Sequence, residues 1–272
     1  MHITFLGTAG NLAVITKSDQ SSGGIIIDHE ETQLHIDPGL GALTNSRKYN
    51  VNLRQNTAII ISSSHLNRCA ELNPVISAMT HEGLDSKGVL IINSNNEVLL
   101  EKYKTFLEKI LTAESEKKFG IEQFTITPLN TTYNNRYGYK IEVEGITITY
   151  SGDTNYNNEI ADQYLRSNIL ILNLANSFGH TGEGLNSGDI IQILKKIKPD
   201  LAIITHYGKT ILQSTPLYEA REIQRQSGVS VLAAKEGMKI DPTAYLGESK
   251  QKVLQFITKK TIETENQQNN QN

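Results

Sequence analysis

The chain of 272 residues contains no tryptophan and only one cysteine, Cys69. A single cysteine excludes an internal disulfide framework and suits a reducing compartment, so we expect a cytoplasmic protein. No apolar run is long enough to cross a membrane as a helix. With a net charge of −3, the chain also lacks the positive excess that indicates binding to nucleic acid or to an anionic membrane surface.

Several common functional motifs are missing as well. The glycines at Gly7 and Gly10 do not have the spacing of a phosphate-binding P-loop, and its lysine is absent. No Gly-x-Ser-x-Gly nucleophile elbow occurs, and no group of aromatic residues forms a platform for single-stranded nucleic acid. The sequence therefore directs attention to polar residues at the ends of predicted strands.

The composition, 38% hydrophobic and 20% charged, is typical of a globular protein with a full core. We expect a single domain over residues 1–245. Residues 246–272 are expected to form a C-terminal extension with a helical start and a disordered tail. The tail is rich in Asn and Gln, so it has nothing to bury.

Strands come first along the chain, and strands alternating with helices follow, which predicts an α/β protein. Strands are expected over 3–5, 24–27, 33–36, 57–61, 89–92, 124–127, 138–143, 146–150, 169–172 and 201–205. Helices are expected over 69–79, 98–117, 187–197 and 216–226. His29 and His35 are expected at the surface. Cys69 would begin a helix, which lowers a thiol pKa, although a packed small residue is the default interpretation.

The polar loop at residues 62–68 follows one predicted strand and precedes a helix, which is where α/β proteins place their chemistry. It resembles the metal-binding loop of the metallo-β-lactamase fold, His-x-His-x-Asp-His. In that pattern Ser63, His65, Asn67 and Arg68 occupy the four ligand positions, so one ligand of four remains.

Other segments carry the same resemblance over roughly residues 1–242. They are residues 5–10, 22–24, 36–43, 71–74, 78–80, 150–154 and 205–208. Their order implies the four-layer α/β/β/α sandwich of the metallo-β-lactamase type, and it places the chain near an uncharacterised archaeal and bacterial branch of hydrolases.

The resemblance also implies a chemistry. Two zinc-class ions would lower the pKa of a bridging water, and the hydroxide would attack a phosphoryl or carbonyl centre. Asp153 would bridge the ions, and His65 and His206 would be further ligands, but the expected histidine after Pro128 is missing from 129–137. We therefore expect a weak or vestigial metal site with no tightly bound cofactor, and zinc or another divalent ion only if the site is active.

Five residues form the candidate site: Asp37, His65, Arg68, Asp153 and His206. The resemblance implies that Asp37 orients the loop by hydrogen bonds. The Arg68 guanidinium is expected to fill the second metal position, pair with Asp153, and hold a small anionic ligand or phosphorylated substrate. The aspartates and His65 also have plainer interpretations. An aspartate at a turn commonly closes that turn, and a loop histidine is commonly a structural residue whose ring nitrogens are hydrogen-bonded.

Three functions follow as hypotheses. The first is a family member without hydrolysis that acts in binding or regulation. The second is an active hydrolase, phosphodiesterase-like, with one weak metal or a metal-independent site. The third is a scaffold subunit of an assembly. Family membership favours hydrolysis, but function depends on the residues at the site.

Overall fold

Two seven-stranded sheets form the centre of the molecule. The structure, a computed structural model, describes residues 1–93, 99–180 and 182–247. Most of the predicted extension, including the tail that the sequence predicts to be disordered, lies outside these residues. No helix in these ranges has the length and apolarity needed to cross a membrane.

The first sheet has the strand order β14-β1-β2-β3-β4-β5-β6. Its strands are β1 (His2–Phe5), β2 (Ile25–His29), β3 (Thr32–Ile36), β4 (Asn56–Ile60), β5 (Val89–Ile92), β6 (Lys109–Thr112) and β14 (Lys239–Ile240). Strands β3 to β6 pair in parallel, whereas β14, β1, β2 and β3 pair antiparallel.

The second sheet has the order β13-β12-β11-β10-β9-β8-β7. Its strands are β7 (Phe119–Ile121), β8 (Phe124–Asn130), β9 (Tyr137–Val143), β10 (Ile146–Tyr150), β11 (Ile169–Asn173), β12 (Leu201–Thr205) and β13 (Val231–Ala233). Strands β10 to β13 pair in parallel. The β9–β10 hairpin turns at Glu144 and Gly145, both with positive φ, as the sequence predicts.

Helices cover the outer faces of both sheets. They are α1 (Leu12–Ile15), α2 (Ala42–Lys48), α3 (Leu66–Cys69), α4 (Leu72–Thr80), α5 (Glu101–Lys104), α6 (Asn158–Gln163), α7 (Ser187–Ile197), α8 (Lys209–Ser214) and α9 (Pro216–Ser227), with 3-10 helices at Leu53–Gln55 and Pro242–Tyr245. Helix α7 begins with a capping box between Asn186 and Asp189, and α9 ends at Gly228 with a φ of 75°.

Neighbouring residues of the central strands belong to different cores. Ile60 and Ile203 lie in the cluster between the two sheets. Ile59 packs on the outer face with α4, and Ile204 packs on the other outer face with α7 and α9. Side chains alternate along a strand, so each central strand is buried on both faces. The four-layer α/β/β/α sandwich predicted from the sequence is confirmed.

The helix predicted over 98–117 is wrong in the described part of that range. The chain forms only α5 there and then β6, which pairs in parallel with β5. Leu99 and Tyr103 do pack on the core as the helical spacing requires. Ile110 belongs instead to a strand, because the edge of β5 offers backbone hydrogen bonds that a longer helix would leave unused.

Two smaller expectations are also corrected. His35 is fully buried and its Nε2 lies 3.0 Å from the Gly23 carbonyl oxygen, because β3 is covered on both faces. Cys69 ends α3 rather than beginning a helix, and α4 starts only at Leu72.

The candidate residues meet at one rim of the sandwich. Asp37 follows β3, residues 62–68 follow β4, Asp153 follows β10, and His206 follows β12. The carboxyl ends of parallel strands share one edge of a sheet, so the topology gathers polar residues that are distant in sequence.

Candidate functional site

Asp37 holds the start of the 62–68 loop. It is fully buried with a φ of 54°, a conformation that non-glycine residues rarely adopt. Its carboxylate accepts hydrogen bonds from Ser62 N at 2.7 Å, Ser62 Oγ at 2.6 Å and the Tyr150 hydroxyl at 2.9 Å. Burial raises the pKa of Asp37 to about 6, against the opposing effects of Arg68 and these donors. These three hydrogen bonds connect the end of β3 to Ser62 at the start of the loop and to Tyr150 of β10.

Arg68 is a buried cation between two carboxylates. Only 1% of its side chain is exposed. Its Nη2 donates to Asp153 Oδ1 at 2.5 Å, its Nε donates to Asp153 Oδ2 at 3.3 Å, and Nε lies 4.0 Å from Asp37 Oδ2. Desolvation opposes the charged form, but Asp153, Tyr150 and Asp37 together raise the pKa of Arg68. Its Nη1 has no hydrogen-bond partner among the described residues.

Asp153, like Asp37, accepts three hydrogen bonds. Besides Arg68 it accepts a hydrogen bond from Asn173 Nδ2 at 2.9 Å, and the same amide nitrogen donates to the Tyr150 hydroxyl at 3.2 Å. Burial alone would raise the pKa of Asp153, but the charge and hydrogen bonds of Arg68 outweigh it and hold the pKa at about 2. Asp153 is therefore ionised at any physiological pH.

His206 is buried at the end of β12 and has a φ of 50°. Neither ring nitrogen has a hydrogen-bond partner among the described residues. Burial is the main cause that lowers the pKa of His206 well below its ordinary value, and the charge of Arg68 is the second cause. The ring is therefore neutral. His206 and Asp153 line one small cavity of about 40 Å³, together with Thr154, Asn173 and six further residues. A cavity of this size holds roughly one to three water-sized groups.

His65 lies at the mouth of the site and is more exposed than the others. Its Nε2 is 3.1 Å from Arg136 Nη2. An arginine can only donate, so Nε2 is the acceptor and the ring proton is on Nδ1. Partial burial is the main cause that lowers the pKa of His65, and the charge of Arg136 is the second cause.

The structure brings four of the five candidates into one connected group, and His65 lies beside it. Asp37, Arg68 and Asp153 are joined by ion pairs, and His206 shares the cavity with Asp153. The His65 carbonyl oxygen accepts a hydrogen bond from Arg68 N at 2.8 Å, whereas the charges of Asp153 and Arg68 reach the His65 ring only by their influence on its pKa.

Sequence reasoning missed three contributors to this site. Asn173 is the last residue of β11. Its position at the end of a strand, the same signal that identified the other candidates, also pointed to it. Tyr150 ends β10, but an aromatic residue there is also typical of a core. Arg136 lies in the connection between β8 and β9, and no motif marks it.

One further cluster of possible metal ligands occurs in the described ranges. His29, Glu30 and Glu144 bring their ligand atoms within 4.8 Å of one another. His29 Nε2 is 3.2 Å from Glu144 Oε2, although its orientation is not that of a hydrogen bond. This cluster joins the β2–β3 and β9–β10 turns, which lie at the end of the strands opposite to the candidate site.

Comparison with known proteins identifies the family. The model of the "Beta-lactamase superfamily domain" family matches residues 32–207. The chain is 24% identical over 254 residues to the uncharacterised protein MJ1374 of Methanocaldococcus jannaschii, covering 89% of this chain and 95% of that protein.

Solved structures share the fold. The metallo-β-lactamase fold protein YhfI from Bacillus subtilis superposes with a TM-score of 0.77 at 19% identity, covering 88% of this chain and 99% of YhfI. The short form of human tRNase Z gives a TM-score of 0.68 at 14% identity, covering 89% and 99%. A diphosphatase of the PhnP family gives 0.64 at 15% identity, covering 88% and 96%. With the family model matching most of the chain and the sandwich present, this protein belongs to the metallo-β-lactamase superfamily of metal-dependent hydrolases.

Proposed function

We propose that this protein is a member of the superfamily that works without a two-metal centre and binds a small anionic ligand at the rim site, in a binding or regulatory role. The observation that carries the proposal is the buried Arg68 guanidinium, which donates two hydrogen bonds to Asp153. A permanent cation at this position supplies the positive charge that a bridging carboxylate otherwise receives from metal ions.

The residues at the other loop positions do not fit a pair of divalent ions. Asn67 Nδ2 donates to the Gly10 carbonyl oxygen at 2.7 Å, so its amide serves as a tie between loops. Ser63 offers a hydroxyl in place of an imidazole, and Arg68 cannot lose its proton to become a ligand. The lone pair of His65 Nε2 already faces Arg136.

A ligand at this rim meets fixed groups of both signs. Arg68 binds Asp153 through Nε and Nη2, and its third nitrogen, Nη1, has no hydrogen-bond partner among the described residues. The neutral His206 and Asn173, whose Oδ1 atom also has no partner in the described ranges, line the cavity beside Asp153. Several solved relatives are named for phosphorus chemistry, including the diphosphatase and yeast PDE1. This favours a phosphoryl group over a carboxylate as the anion.

The free, buried Cys69 suits a reducing cytoplasm.

Elemental analysis tests the proposal. The protein is produced with excess zinc, iron and manganese, dialysed, and analysed for metal content. We expect well under one bound transition metal per chain. The His206→Ala and His29→Ala variants serve as matched controls, since any bound metal that His29→Ala removes belongs to the cluster at the opposite end. Stoichiometric metal that only His206→Ala removes would overturn the proposal.

A second function is favoured by one observation, the neutral and unpartnered imidazole of His206 beside Asp153. A neutral imidazole and a carboxylate are suitable ligands for a single weakly held ion, which would support a phosphodiesterase-like hydrolase. Hydrolysis of bis(p-nitrophenyl) phosphate, measured with and without added manganese or zinc, tests this alternative. Metal-dependent turnover that His206→Ala abolishes, and that His29→Ala leaves intact, would establish it.

A further inference from the structure

Arg136 is a second guanidinium at the site, and it lies at the mouth. It belongs to the segment between β8 and β9 where the resemblance implies a metal-ligating histidine. The guanidinium carbon lies 4.3 Å from the centre of the Tyr133 ring, and Nη2 lies 3.1 Å from His65 Nε2. A planar cation stacked on an aromatic ring is held in one orientation before any ligand arrives.

The charge of Arg136 is not balanced by a carboxylate. In the described part of the chain it forms no ion pair with an aspartate or glutamate, and the same is true of Arg47, Arg166 and Arg221, whereas Arg54, Arg68 and Arg225 are paired. Its polar contact is with a neutral imidazole, which cannot cancel a positive charge. An arginine that is oriented and lacks a counter-ion is suited to hold an anion.

The segment around Arg136 is fixed to the cavity wall. The Tyr133 hydroxyl donates to Asn155 Oδ1 at 3.1 Å, and Gly184 N donates to the same amide oxygen at 2.7 Å. Thr131 Oγ1 donates to the Arg136 carbonyl oxygen at 3.0 Å. Gly184 also lines the cavity that holds Asp153 and His206. Arg136 is therefore tied to the rim of this cavity.

We propose that Arg136 is the residue that captures the phosphoryl group of the ligand, with its guanidinium fork bidentate to two phosphoryl oxygens and the rest of the ligand facing the cavity. The inference rests on the proposed function, because it names the ligand class of that same site. Tyr133 acts as a positioning residue, because its ring holds the guanidinium plane in the orientation that a bidentate contact with the phosphoryl group needs. His65 holds the other side of the guanidinium through its Nε2 lone pair.

Isothermal titration calorimetry with inorganic phosphate and with phenyl phosphate tests the inference at constant ionic strength. We expect saturable binding to the native chain. Arg136→Gln should weaken it roughly 10- to 100-fold, the range for losing hydrogen bonds to a charged group. Arg136→Lys should restore part of the affinity, because the charge returns without the fork. Tyr133→Leu should weaken binding and leave the midpoint of thermal unfolding nearly unchanged.

Arg221→Gln is the matched control, since Arg221 is exposed on α9, a helix that packs on the outer face of the second sheet. Binding that Arg136→Gln leaves unchanged, or loses no more than Arg221→Gln does, would overturn the role of Arg136. Absence of saturable phosphate binding to the native chain up to roughly 10 mM would overturn it as well. These results differ from a failure of the proposed function, which would appear as stoichiometric metal removed only by His206→Ala.

Discussion

Arg68 and Asp153 form a bidentate ion pair at the rim where the two sheets meet, with the Arg68 side chain 1% exposed and the Asp153 side chain 21% exposed. The two residues are 85 positions apart in the chain, so the pair links the β4 loop of the first sheet to the β10 loop of the second. Two desolvated charges are tolerated because each satisfies the other, and Asn173 supplies a further donor to the carboxylate.

Arg68→Ala should destabilise the fold by about 3–5 kcal/mol, because it leaves the carboxylates of Asp153 and Asp37 without their cation. Urea denaturation measures the free energy of unfolding. Arg166→Ala is the control, since Arg166 is exposed. An Arg68→Ala variant as stable as the control would mean that the ion pair contributes nothing.

Asp153 should make the protein lose stability in acid. Its pKa is about 2 in the folded state against an ordinary 3.8, so its contribution is present above pH 3.8 and is lost as the pH falls towards 2. The shift of nearly two units corresponds to about 2–3 kcal/mol. The free energy of unfolding, measured between pH 2 and 5, should change less steeply in Asp153→Asn than in the native chain. Parallel pH profiles for the two proteins would contradict the assignment.

Asp37 should have the opposite effect in a higher pH range. Its pKa is raised from 3.8 to about 6, so the folded state binds the proton more tightly than the unfolded chain. Its contribution is complete below pH 3.8 and declines as the pH rises through 6. Carbon-13 NMR of the labelled aspartate carboxyls should show one that titrates near pH 6, and this signal should disappear in Asp37→Asn. No carboxyl titrating above pH 5 would contradict the prediction.

The combined changes Ser63→His, Asn67→Asp and Arg68→His should create zinc-dependent stability. They replace the three loop residues that differ from the His-x-His-x-Asp-His pattern with the metal ligands of that pattern. Binding at a free zinc concentration 100 times the Kd would add about 2.7 kcal/mol to the free energy of unfolding. Thermal unfolding with and without zinc measures the gain, and the same triple variant carrying Asp153→Asn is the control. Equal zinc effects in the two would show that the frame no longer supports a metal.

Cys69 should react slowly in the folded protein. Burial raises the pKa of its thiol to about 12, and its Sγ donates to the His65 carbonyl oxygen at 3.2 Å. The rate of reaction with a chromogenic disulfide at pH 8 should rise by orders of magnitude on unfolding in urea, because only the thiolate attacks. The chain has one cysteine, so the signal is unambiguous. A native rate close to the unfolded rate would show that the thiol is accessible.

The sequence predicted much of the fold because its strands are strongly apolar. The runs at β4, β11 and β12 are buried on both faces, and their short length and β-branched composition indicate buried strands. Prediction failed over 98–117, where apolar residues at helical spacing also suit a short helix followed by an edge strand. Only the free edge of β5 decides between the two, and that edge is formed by residues elsewhere in the chain.

The sequence by itself determined which polar residues stand at strand ends, and so identified Asp37, Asp153 and His206 as candidates. It also determined that the loop lacks most of the metal ligands of its family's pattern. The tertiary structure decided which of these residues touch, since the Arg68–Asp153 pair and the Arg136–His65 contact join segments far apart in the chain. Charge interactions depend on distance and on burial, and neither is defined until the two sheets have packed together.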